Sequence, residues 1–254
     1  MKIEDKTILI TGGASGIGLE AAKQFLSIGC KVIITGRNEQ KLKLAKQKFP
    51  MLITIKSDVA NEEDALSLLK QVSDLGGIDI LYNNAGVSTP PINLGKPDPM
   101  HYDKATYEMN INYLGIIRLN NIFIDMLNSR KEPAIINTTS ILSYVPANLA
   151  PTYSATKVAL RFYTETLRSH LQMLNSDIKV FELLPPLVAT EMAEGMDAKA
   201  IKPEQLVKGL ITGLKNDNLT IRVGATKAIY FLSRFFPRLA FKLINPLKYS
   251  NLLK

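Results

Sequence analysis

The chain of 254 residues is 46% hydrophobic and 21% charged, with 15 glycines and 13 prolines. This composition is typical of a globular protein with a substantial core. It excludes a disordered chain, a collagen-like repeat and a disulfide-stapled miniature protein, since Cys30 is the only cysteine. A lone thiol suits a reducing compartment, and the sequence shows neither a signal-peptide core nor an apolar run of ~18 residues, so a cytoplasmic protein is predicted.

The excess of positive charge lies near the C-terminal end of the chain. Of the net charge of +8, +7 belongs to residues 215–254, where eight basic residues accompany one acid, Asp217. Residues 1–214 are therefore nearly neutral, at +1. Any attraction to anionic lipid or nucleic acid is predicted to lie in the last forty residues.

Short β-branched runs alternate along the chain with longer segments of helical period. Most of the runs are apolar at successive positions, as strands buried between two layers of helices are. The pattern predicts a doubly wound α/β fold, with a parallel sheet of about seven strands and helices on both faces. The predicted strands are residues 7–10, 31–34, 52–55, 78–81, 134–137, 179–181 and 219–223, and the clearest helices are residues 19–26, 66–72 and 107–127.

The first predicted strand runs directly into a glycine-rich turn and then into a helix. Glycine is needed where the chain turns sharply and where its backbone approaches a pyrophosphate, and the helix N-terminus offers free N–H groups to the phosphates. A plain surface turn is the alternative for such a cluster taken by itself. The residues predicted to contact a dinucleotide here are Gly12, Ser15, Gly16, Ile17 and Gly18.

The end of the second strand predicts the choice of dinucleotide. An acidic side chain there would bind the adenosine ribose of NAD, but the sequence reads Thr35-Gly36-Arg37-Asn38. The planar guanidinium of Arg37 suits the 2′-phosphate of NADP, and Ser15 can add a hydroxyl. NADP(H) is therefore favoured over NAD(H), the alternative being that Arg37 is a solvated surface residue.

A tyrosine and a lysine stand four residues apart, at Tyr153 and Lys157, near the start of a predicted helix. That spacing puts both on one face of the helix, where the ammonium is expected to lower the pKa of the phenol from ~10 toward neutral pH. Such a pair occurs by chance in many helices, so its weight depends on the motifs around it.

Taken in order, the motifs resemble those of the short-chain dehydrogenase/reductase family over nearly all of residues 5–225. The family's Thr-Gly-x-x-x-Gly-x-Gly turn is matched at residues 11–18, and its Asn-Asn-Ala-Gly motif at residues 83–86. The resemblance implies a single Rossmann-type domain over residues 1–225, and a homo-oligomer, a dimer or a tetramer. The other matches are Asp58 and Val59 after the third strand, Asn112 in a helix, Ser140 after the fifth strand, and the pair Tyr153 and Lys157.

The resemblance also implies a role for each matched residue. Tyr153 would be the general acid in carbonyl reduction and the general base in alcohol oxidation, while Ser140 would hold the substrate oxygen. Lys157 would bind the nicotinamide ribose, and Asn112 would support a water that leads protons to Lys157. In the family's pattern Asp58 and Val59 would contact the adenine, Asn84 the adenosine ribose side, and Val188 and Thr190 the nicotinamide carboxamide and a phosphate. Each has a plainer alternative: Ser140 capping a helix, for example, or Asn84 forming a turn.

One departure from the family's pattern follows the sixth strand, where Pro185-Pro186 replaces the usual Pro-Gly. Together with a basic aromatic tail, this pair is similar to a bacterial subgroup associated with D-alanyl teichoic acid operons. Residues 191–201, which contain Met192 and Met196, are predicted to form a lid over the substrate, with ordinary helix packing as the alternative.

Residues 226–254 are predicted to be a basic, aromatic, amphipathic extension. Lys227, Arg234, Arg238 and Lys242 fall on one stripe of a helix, which Pro237 is expected to break or kink. The pattern fits a peripheral membrane contact, a dimer contact or a wall of the substrate pocket. Nucleic-acid binding is disfavoured, because the rest of the chain is nearly neutral and contains no recognised nucleic-acid module.

These features predict an NADP(H)-dependent oxidoreductase that transfers a hydride to or from a small-molecule carbonyl or alcohol. A non-catalytic dinucleotide sensor or interaction protein is the alternative, which is disfavoured by the joint presence of four residues, Asn112, Ser140, Tyr153 and Lys157. His101 and His170 are isolated in the sequence, so no metal site and no hydrolase triad are predicted.

Overall fold

A computed structural model describes residues 1–194 and 200–247. Its seven strands form one sheet in the order β3-β2-β1-β4-β5-β6-β7, and every neighbouring pair is parallel. The doubly wound sheet is therefore confirmed, as are all seven predicted strands. The strands are β1 (Thr7–Thr11), β2 (Lys31–Gly36), β3 (Ile53–Lys56), β4 (Ile80–Asn83), β5 (Ala134–Thr138), β6 (Lys179–Leu184) and β7 (Thr220–Arg222).

Helices follow the strands in chain order, as parallel pairing requires. The segment predicted as one helix, residues 107–127, is interrupted by a π-helical turn, Asn110–Leu114. Short 3₁₀ turns occupy Ile141–Ser143 and Glu191–Ala193. The helices are α1 (Gly16–Ser27), α2 (Glu39–Lys48), α3 (Glu62–Asp74), α4 (His101–Met109), α5 (Gly115–Asn128), α6 (Pro151–Met173), α7 (Pro203–Lys215), α8 (Thr226–Phe235) and α9 (Pro237–Ile244).

Two hydrophobic layers sandwich the sheet, because successive side chains of each strand point to opposite faces. In β1, Ile8 and Ile10 pack with α1, α2 and α7 on one face, whereas Leu9 packs with α3, α5 and α6 on the other. The central strands β4 and β5 are buried along their whole length. Burial on both faces explains why these strands are apolar at consecutive positions.

The C-terminal helices pack on the segment that follows β5. Ile229 of α8 and Ala240 of α9 form a small cluster with Ile141 and Val145. Helix α8 ends at Phe235 and Pro237 opens α9, so the predicted break at Pro237 is confirmed. Residues 195–199 of the predicted lid and residues 248–254 of the predicted extension lie outside the described residues. No helix in the described ranges is long and apolar enough to cross a bilayer.

Candidate active site

The glycine turn between β1 and α1 lies against the end of β4. Gly12 has φ +62°, and a Cβ on it would lie 2.9 Å from the Ala85 Cα; a Cβ on Gly18 would lie 2.3 Å from the Gly12 carbonyl oxygen. Glycine is therefore required at both positions. The first backbone hydrogen bond of α1 runs from the Leu19 N–H to the Ser15 carbonyl. The N–H groups of Gly16, Ile17 and Gly18 come before it and so have no partner within the helix. With no acid in its first turn, the helix N-terminus suits an anion.

Asn84 joins the turn to the sheet. Its Nδ2 donates to the Thr11 carbonyl at 3.0 Å and to the Gly12 carbonyl at 3.3 Å. The Thr11 hydroxyl oxygen accepts from the backbone N–H groups of Asn84 and Ala85, both at 3.0 Å. Thus the Asn84 amide, which the family's pattern assigns to the adenosine side, also fixes the ends of β1 and β4 to each other.

A cleft opens beside the glycine turn, at the carboxyl ends of β1 to β4. Two hydroxyl oxygens in its wall, Thr35 Oγ1 and Ser57 Oγ, are buried and have no hydrogen-bond partner within the described part of the chain. A dinucleotide fits this cleft for three reasons. The glycines leave room that a Cβ would fill, α1 begins there with free N–H groups, and two buried hydroxyls in the wall lack a partner among the described residues. The cleft is lined by Gly12, Thr35, Gly36, Arg37, Ser57, Asp58, Val59, Ala85, Gly86, Val87 and Ile111.

Arg37 and Asp58 lie together in this cleft. Arg37 Nη2 donates to the Tyr107 hydroxyl at 2.9 Å, and its Nη1 lies 3.8 Å from Asp58 Oδ2. The other Asp58 oxygen accepts from the Ala60 N–H at 2.9 Å. Ser15, at the N-cap of α1, makes no capping bond with its side chain. Arg37 remains half exposed, so its guanidinium can turn toward an anion at the cleft mouth.

Three of the predicted catalytic residues come together beyond the cleft. Ser140 follows β5, and Tyr153 and Lys157 lie in the first two turns of α6. Ser140 lies close enough to the Tyr153 hydroxyl to favour its ionised form, and Lys157 Nζ lies 5.5 Å from the centroid of the Tyr153 ring. Ser140 Oγ also accepts from the Leu142 N–H at 3.1 Å, which fixes its orientation.

The pKa values at this site differ from the expectation. Burial raises the pKa of Tyr153 to about 12; the Ser140 hydrogen bond opposes that rise, and the charge of Glu108 adds to it. Lys157 Nζ lies under the ring and donates to the Thr138 carbonyl at 2.9 Å, and burial lowers the pKa of Lys157 to about 8. The predicted lowering of the phenol's pKa by Lys157 is therefore wrong for this structure. Desolvation of both groups outweighs their attraction.

Asn112 lies in the π-helical turn and holds the loop after β4. Its Nδ2 donates to the Val87 carbonyl and its Oδ1 accepts from the Val87 N–H, both at 2.8 Å. A third bond runs from Nδ2 to Thr156 Oγ1 at 3.2 Å, which links the loop to α6. Asn112 therefore positions Val87 against the helix that holds Tyr153.

Glu108 is a site residue that the sequence reasoning missed. It is 1% exposed, and its Oε1 accepts from the N–H and the hydroxyl of Thr89 at 2.6 and 2.9 Å. Its Oε2 is buried with no partner among the described residues. Glu108 and Asn112, four residues apart, thus hold alternate residues of one loop. That i, i+4 spacing is the signal by which the sequence could have revealed it.

Asn83 belongs to the core. Its Nδ2 donates to Asn120 Oδ1 at 2.8 Å and to Asn137 Oδ1 at 2.9 Å, and Asn137 Nδ2 donates to Thr164 Oγ1 at 3.0 Å. This buried network connects β4, β5, α5 and α6. It therefore fixes β5 and α6, which position Ser140, Tyr153 and Lys157, to β4 and α5.

The segment after β6 crosses over the glycine turn. Val188 forms a parallel bridge with Ile201, and the Thr190 side chain lies 3.2 Å from the place a Cβ on Gly16 would take. Thr190 is therefore beside the helix N-terminus, as the phosphate role requires. The Pro185 carbonyl accepts from the Ile141 N–H at 2.8 Å. Pro186 packs near Gly224: its Cγ lies 3.6 Å from the place that a Cβ on Gly224 would take. The second proline is therefore compatible with the positions of Val188 and Thr190.

Metal chemistry has no candidate ligand set in the part of the chain described. No three His, Cys, Asp or Glu side chains of residues 1–194 and 200–247 are grouped to hold an ion.

Comparisons with known proteins identify the family of the chain. The sequence profile of the family described as short chain dehydrogenase matches residues 6–200. The uncharacterized oxidoreductase DltE of Bacillus subtilis is 34% identical over 222 residues, which cover 85% of this chain and 86% of that protein. This relative is consistent with the subgroup that the proline pair and the basic tail resemble. Diacetyl reductase, (S)-acetoin forming, of Staphylococcus epidermidis is 29% identical over 205 residues, 78% of this chain and 77% of its own.

Solved structures show the same architecture. A short chain dehydrogenase from Burkholderia cenocepacia in complex with NADP has a TM-score of 0.83 and 25% identity, and covers 100% of both chains. A short chain dehydrogenase/reductase from Burkholderia phymatum in complex with NAD has the same TM-score over 94% of this chain and 95% of that chain; at 19% identity it shows the fold alone. With the family profile and these relatives spanning most of the sequence, this chain belongs to the short-chain dehydrogenase/reductase family of oxidoreductases.

Proposed function

We propose that the protein transfers a hydride between NADP(H) and a small-molecule carbonyl or alcohol, with Tyr153 as the general acid and base. The observation that carries this proposal is the grouping of Ser140, Tyr153 and Lys157, with the Lys157 ammonium 5.5 Å from the centroid of the Tyr153 ring and bonded to the Thr138 carbonyl beside Ser140. The group lies beside a cleft whose glycine cradle fits a dinucleotide. Relatives that are reductases or bind NADP support the same assignment.

The proton chemistry follows from the pKa values. With a pKa raised to about 12, Tyr153 is protonated throughout the neutral range and can give its proton to the substrate oxygen during reduction. The Ser140 hydroxyl would bind the same oxygen and stabilise the negative charge that develops there. The nicotinamide, when bound, supplies or accepts the hydride. Hydride and proton together convert the carbonyl into the alcohol, and oxidation returns the proton to Tyr153.

Lys157 and Asn112 would restore the phenol's proton. The Lys157 ammonium, whose pKa is lowered to about 8, uses one hydrogen on the Thr138 carbonyl and keeps the others for the nicotinamide ribose and for proton exchange. Asn112 holds Val87 and Thr156 in place around this ammonium. Around the cofactor, Gly12, Ser15, Gly16, Ile17 and Gly18 would bind phosphates, Asp58, Val59 and Asn84 the adenosine, and Val188 and Thr190 the nicotinamide side.

Replacing Tyr153 tests the assignment of the acid. The variant Tyr153→Phe should lower kcat for NADPH-dependent ketone reduction by about 10³-fold, because the Ser140 hydroxyl on the same oxygen is a much weaker acid than the phenol and cannot replace it as proton donor. NADPH affinity, measured by calorimetry, should stay the same. Tyr102→Phe, at an exposed tyrosine on α4, is the control and should keep its activity. Unchanged turnover in Tyr153→Phe would refute the role, and NADPH binding by the wild type without turnover of any carbonyl panel would favour a dinucleotide sensor.

Replacing Arg37 tests the choice of cofactor. Arg37 stands in the cleft with a half-exposed guanidinium, and the Ser15 side chain makes no capping bond. We expect the wild type to bind NADPH more tightly than NADH, and Arg37→Ala to weaken NADPH binding about tenfold or more while NADH binding is unchanged. Lys43→Ala, on the exposed side of α2, is the control for a general loss of positive charge. Equal affinities of the wild type for the two cofactors would contradict the assignment.

Two finer points concern the protein's partners. We propose that the protein is a homo-oligomer formed through α5 and α6, the helices next to Asn112 and Tyr153. We also propose that it works in the cytoplasm with a peripheral membrane contact through residues 226–254. The near neutrality of residues 1–214 and the basic C-terminal segment support that placement of the contact.

A further inference from the structure

Helices α8 and α9 and the residues just after them, here called the α8–α9 hairpin (residues 226–247), stand at the catalytic edge of the sheet. Because all strands are parallel, their carboxyl ends share one edge. Helix α8 begins at Thr226, four residues after the end of β7, and Ser140 follows the end of β5 at the same edge. The hairpin and the candidate active site therefore share one end of the molecule.

The inner side of the hairpin is fixed to the segment between Ser140 and Tyr153. The Asn148 N–H donates to Asn245 Oδ1 at 2.6 Å, and Asn245 Nδ2 donates to the Pro146 carbonyl at 2.9 Å. Arg222 Nε donates to the Tyr144 hydroxyl at 2.9 Å, and the Arg222 guanidinium lies 3.9 Å from the centre of the Tyr230 ring. The orientation of the hairpin relative to the active site is thus set by polar and aromatic contacts as well as by the small core.

The outer side of the hairpin is apolar, and no other part of residues 1–194 and 200–247 covers it. Large side chains are exposed along both helices and just beyond them; Phe235 is 66% and Phe236 55% exposed. Phe231 and Phe235 also pack on each other, with ring centroids 4.7 Å apart, and exposed large apolar side chains gathered on two adjacent helices are typical of an interaction surface. Its members include Phe231, Phe235, Phe236, Leu239, Leu243 and Leu247.

The same two helices also carry exposed positive charge. Lys227, Arg234, Arg238 and Lys242 are exposed and make no ion pair within residues 1–194 and 200–247. The sequence contains no Asp or Glu after Asp217. A binding partner whose charge is complementary to this surface is therefore anionic.

An anionic bilayer fits this surface better than a second copy of the chain or a nucleic acid does. A two-fold interface places the same patch on both sides, so the four cations would meet their own copies with no acid between them. A nucleic acid would neutralise the cations but leave leucine and phenylalanine side chains in water. A bilayer accepts both, phosphate groups beside the cations and acyl chains around the aromatic rings.

We propose that the outer side of the α8–α9 hairpin docks on an anionic lipid bilayer with the catalytic edge turned toward it, so that the substrate is an apolar carbonyl compound or alcohol taken from the lipid phase. The docking stands on the hairpin alone, and the substrate class rests on the proposed function. Docking brings the segment that joins Ser140 to Tyr153 next to the headgroups, since the hairpin is bonded to that segment.

A tryptophan reporter tests the docking and its orientation, because the chain contains no tryptophan of its own. Phe235→Trp puts the indole on the hairpin; Met51→Trp, in the exposed turn before β3, puts it at the amino edge of the sheet. With vesicles of equal parts phosphatidylglycerol and brominated phosphatidylcholine, we expect a blue shift and quenching of the indole at position 235 and no change at position 51. No shift at 235, or equal quenching at both positions, would overturn the proposal.

Charge reversal tests the electrostatic part. The double variant Arg234→Glu, Arg238→Glu should weaken vesicle binding in sedimentation by about a hundredfold or more, and added salt should weaken the wild type. The double variant Lys43→Glu, Lys70→Glu makes the same change of charge on α2 and α3 and should bind as the wild type does. Equal loss in both variants, binding to duplex DNA in place of vesicles, or self-association through the hairpin without lipid binding would each overturn the proposal.

Two homologous methyl ketones test the substrate class, one short enough to stay in water and one with a long alkyl chain that enters the vesicles. Anionic vesicles should raise kcat/KM for the long ketone about tenfold in the wild type. In the double variant Arg234→Glu, Arg238→Glu the vesicles should leave kcat/KM for this ketone unchanged. The short ketone should show no vesicle effect. Reduction of both ketones without a vesicle effect overturns the substrate class, whereas a docked reporter with no reduction of either ketone refutes the proposed reaction and leaves docking standing.

Discussion

At the scale of one residue, the buried ammonium of Lys157 lowers the free energy of unfolding at neutral pH, because burial disfavours its charged form. Burial lowers the Lys157 pKa from 10.5 to about 8, so between these values the folded protein binds fewer protons than the unfolded chain. Stability therefore rises with pH across that window. At pH 7 the charged form is held at a cost of about 3 kcal/mol.

Lys157→Met should reveal this cost. We expect the free energy of unfolding at pH 7 to rise by about 2 kcal/mol, since the lost hydrogen bond to the Thr138 carbonyl offsets part of the gain. The gain should be nearly gone at pH 10.5, where the folded lysine is neutral and half of the unfolded-state lysine is neutral too. Urea unfolding at pH 7 and pH 10.5 measures both values. A loss of stability at pH 7, or the same gain at both pH values, would contradict this account.

The sequence predicts which residues form the catalytic group, but it does not predict their pKa values. Ser140, Tyr153 and Lys157 are identified by motif, and the structure brings them together. The sequence suggested that lysine lowers the tyrosine's pKa, but spacing on a helix does not tell how much water either group loses. Glu108 escaped notice because its partner Thr89 is nineteen residues away on a loop.

At the scale of the elements, a polar network in the core holds the site's scaffold together. Asn83, Asn120, Asn137 and Thr164 are all buried, and their bonds connect two strands with two helices. Removing one member leaves amide groups without partners in a dry interior, which costs far more than a surface hydrogen bond does.

Asn137→Ala should therefore destabilise the protein by about 3 kcal/mol and lower its melting temperature by roughly 10 °C. The exposed Asn121→Ala on α5 is the control and should change stability by less than about 0.5 kcal/mol. Calorimetric melting of the two variants measures the difference. Equal, small effects at both positions would show that the network does not support the core.

The elements also show where periodicity fails. The apolar pattern over residues 107–127 predicted one helix, but five residues of it form a π-helical turn that aims Asn112 at Val87. Helix α2 buries only Leu42 and Ala45, so its apolar period is weak and was not among the clearest helical patterns. The parallel strands were recognisable because both of their faces are buried.

At the scale of the whole molecule, two exposed surfaces have different partners in our proposals. The hairpin surface is basic and apolar and is assigned to lipid. The surface of α6 near Tyr163 is apolar without a basic stripe: Phe162 is 60% exposed, and Tyr113 packs edge to face on Tyr163 at 6.1 Å. We assign this second surface to the homo-oligomer.

Phe162→Glu should dissociate the oligomer, because a buried carboxylate facing its own copy would be strongly unfavourable. Light scattering after size exclusion should give the monomer mass for this variant and a multiple of it for the wild type. Phe235→Glu, on the hairpin, should keep the oligomeric mass. A monomeric wild type, or dissociation by the hairpin variant alone, would reverse the assignment of the two surfaces.

The sequence by itself determined the seven strands and their burial on both faces, the glycine turn, the family and the uneven division of charge. Each is local, because it depends on residues that are close together in the chain or on composition. Only the tertiary structure decided which distant groups meet: Glu108 with Thr89, Asn83 with Asn137, and the C-terminal hairpin with the segment between Ser140 and Tyr153. Burial and direction of side chains, which set the pKa values of Tyr153 and Lys157 and leave the hairpin's aromatic rings uncovered, arise from packing between elements and have no signature in local spacing.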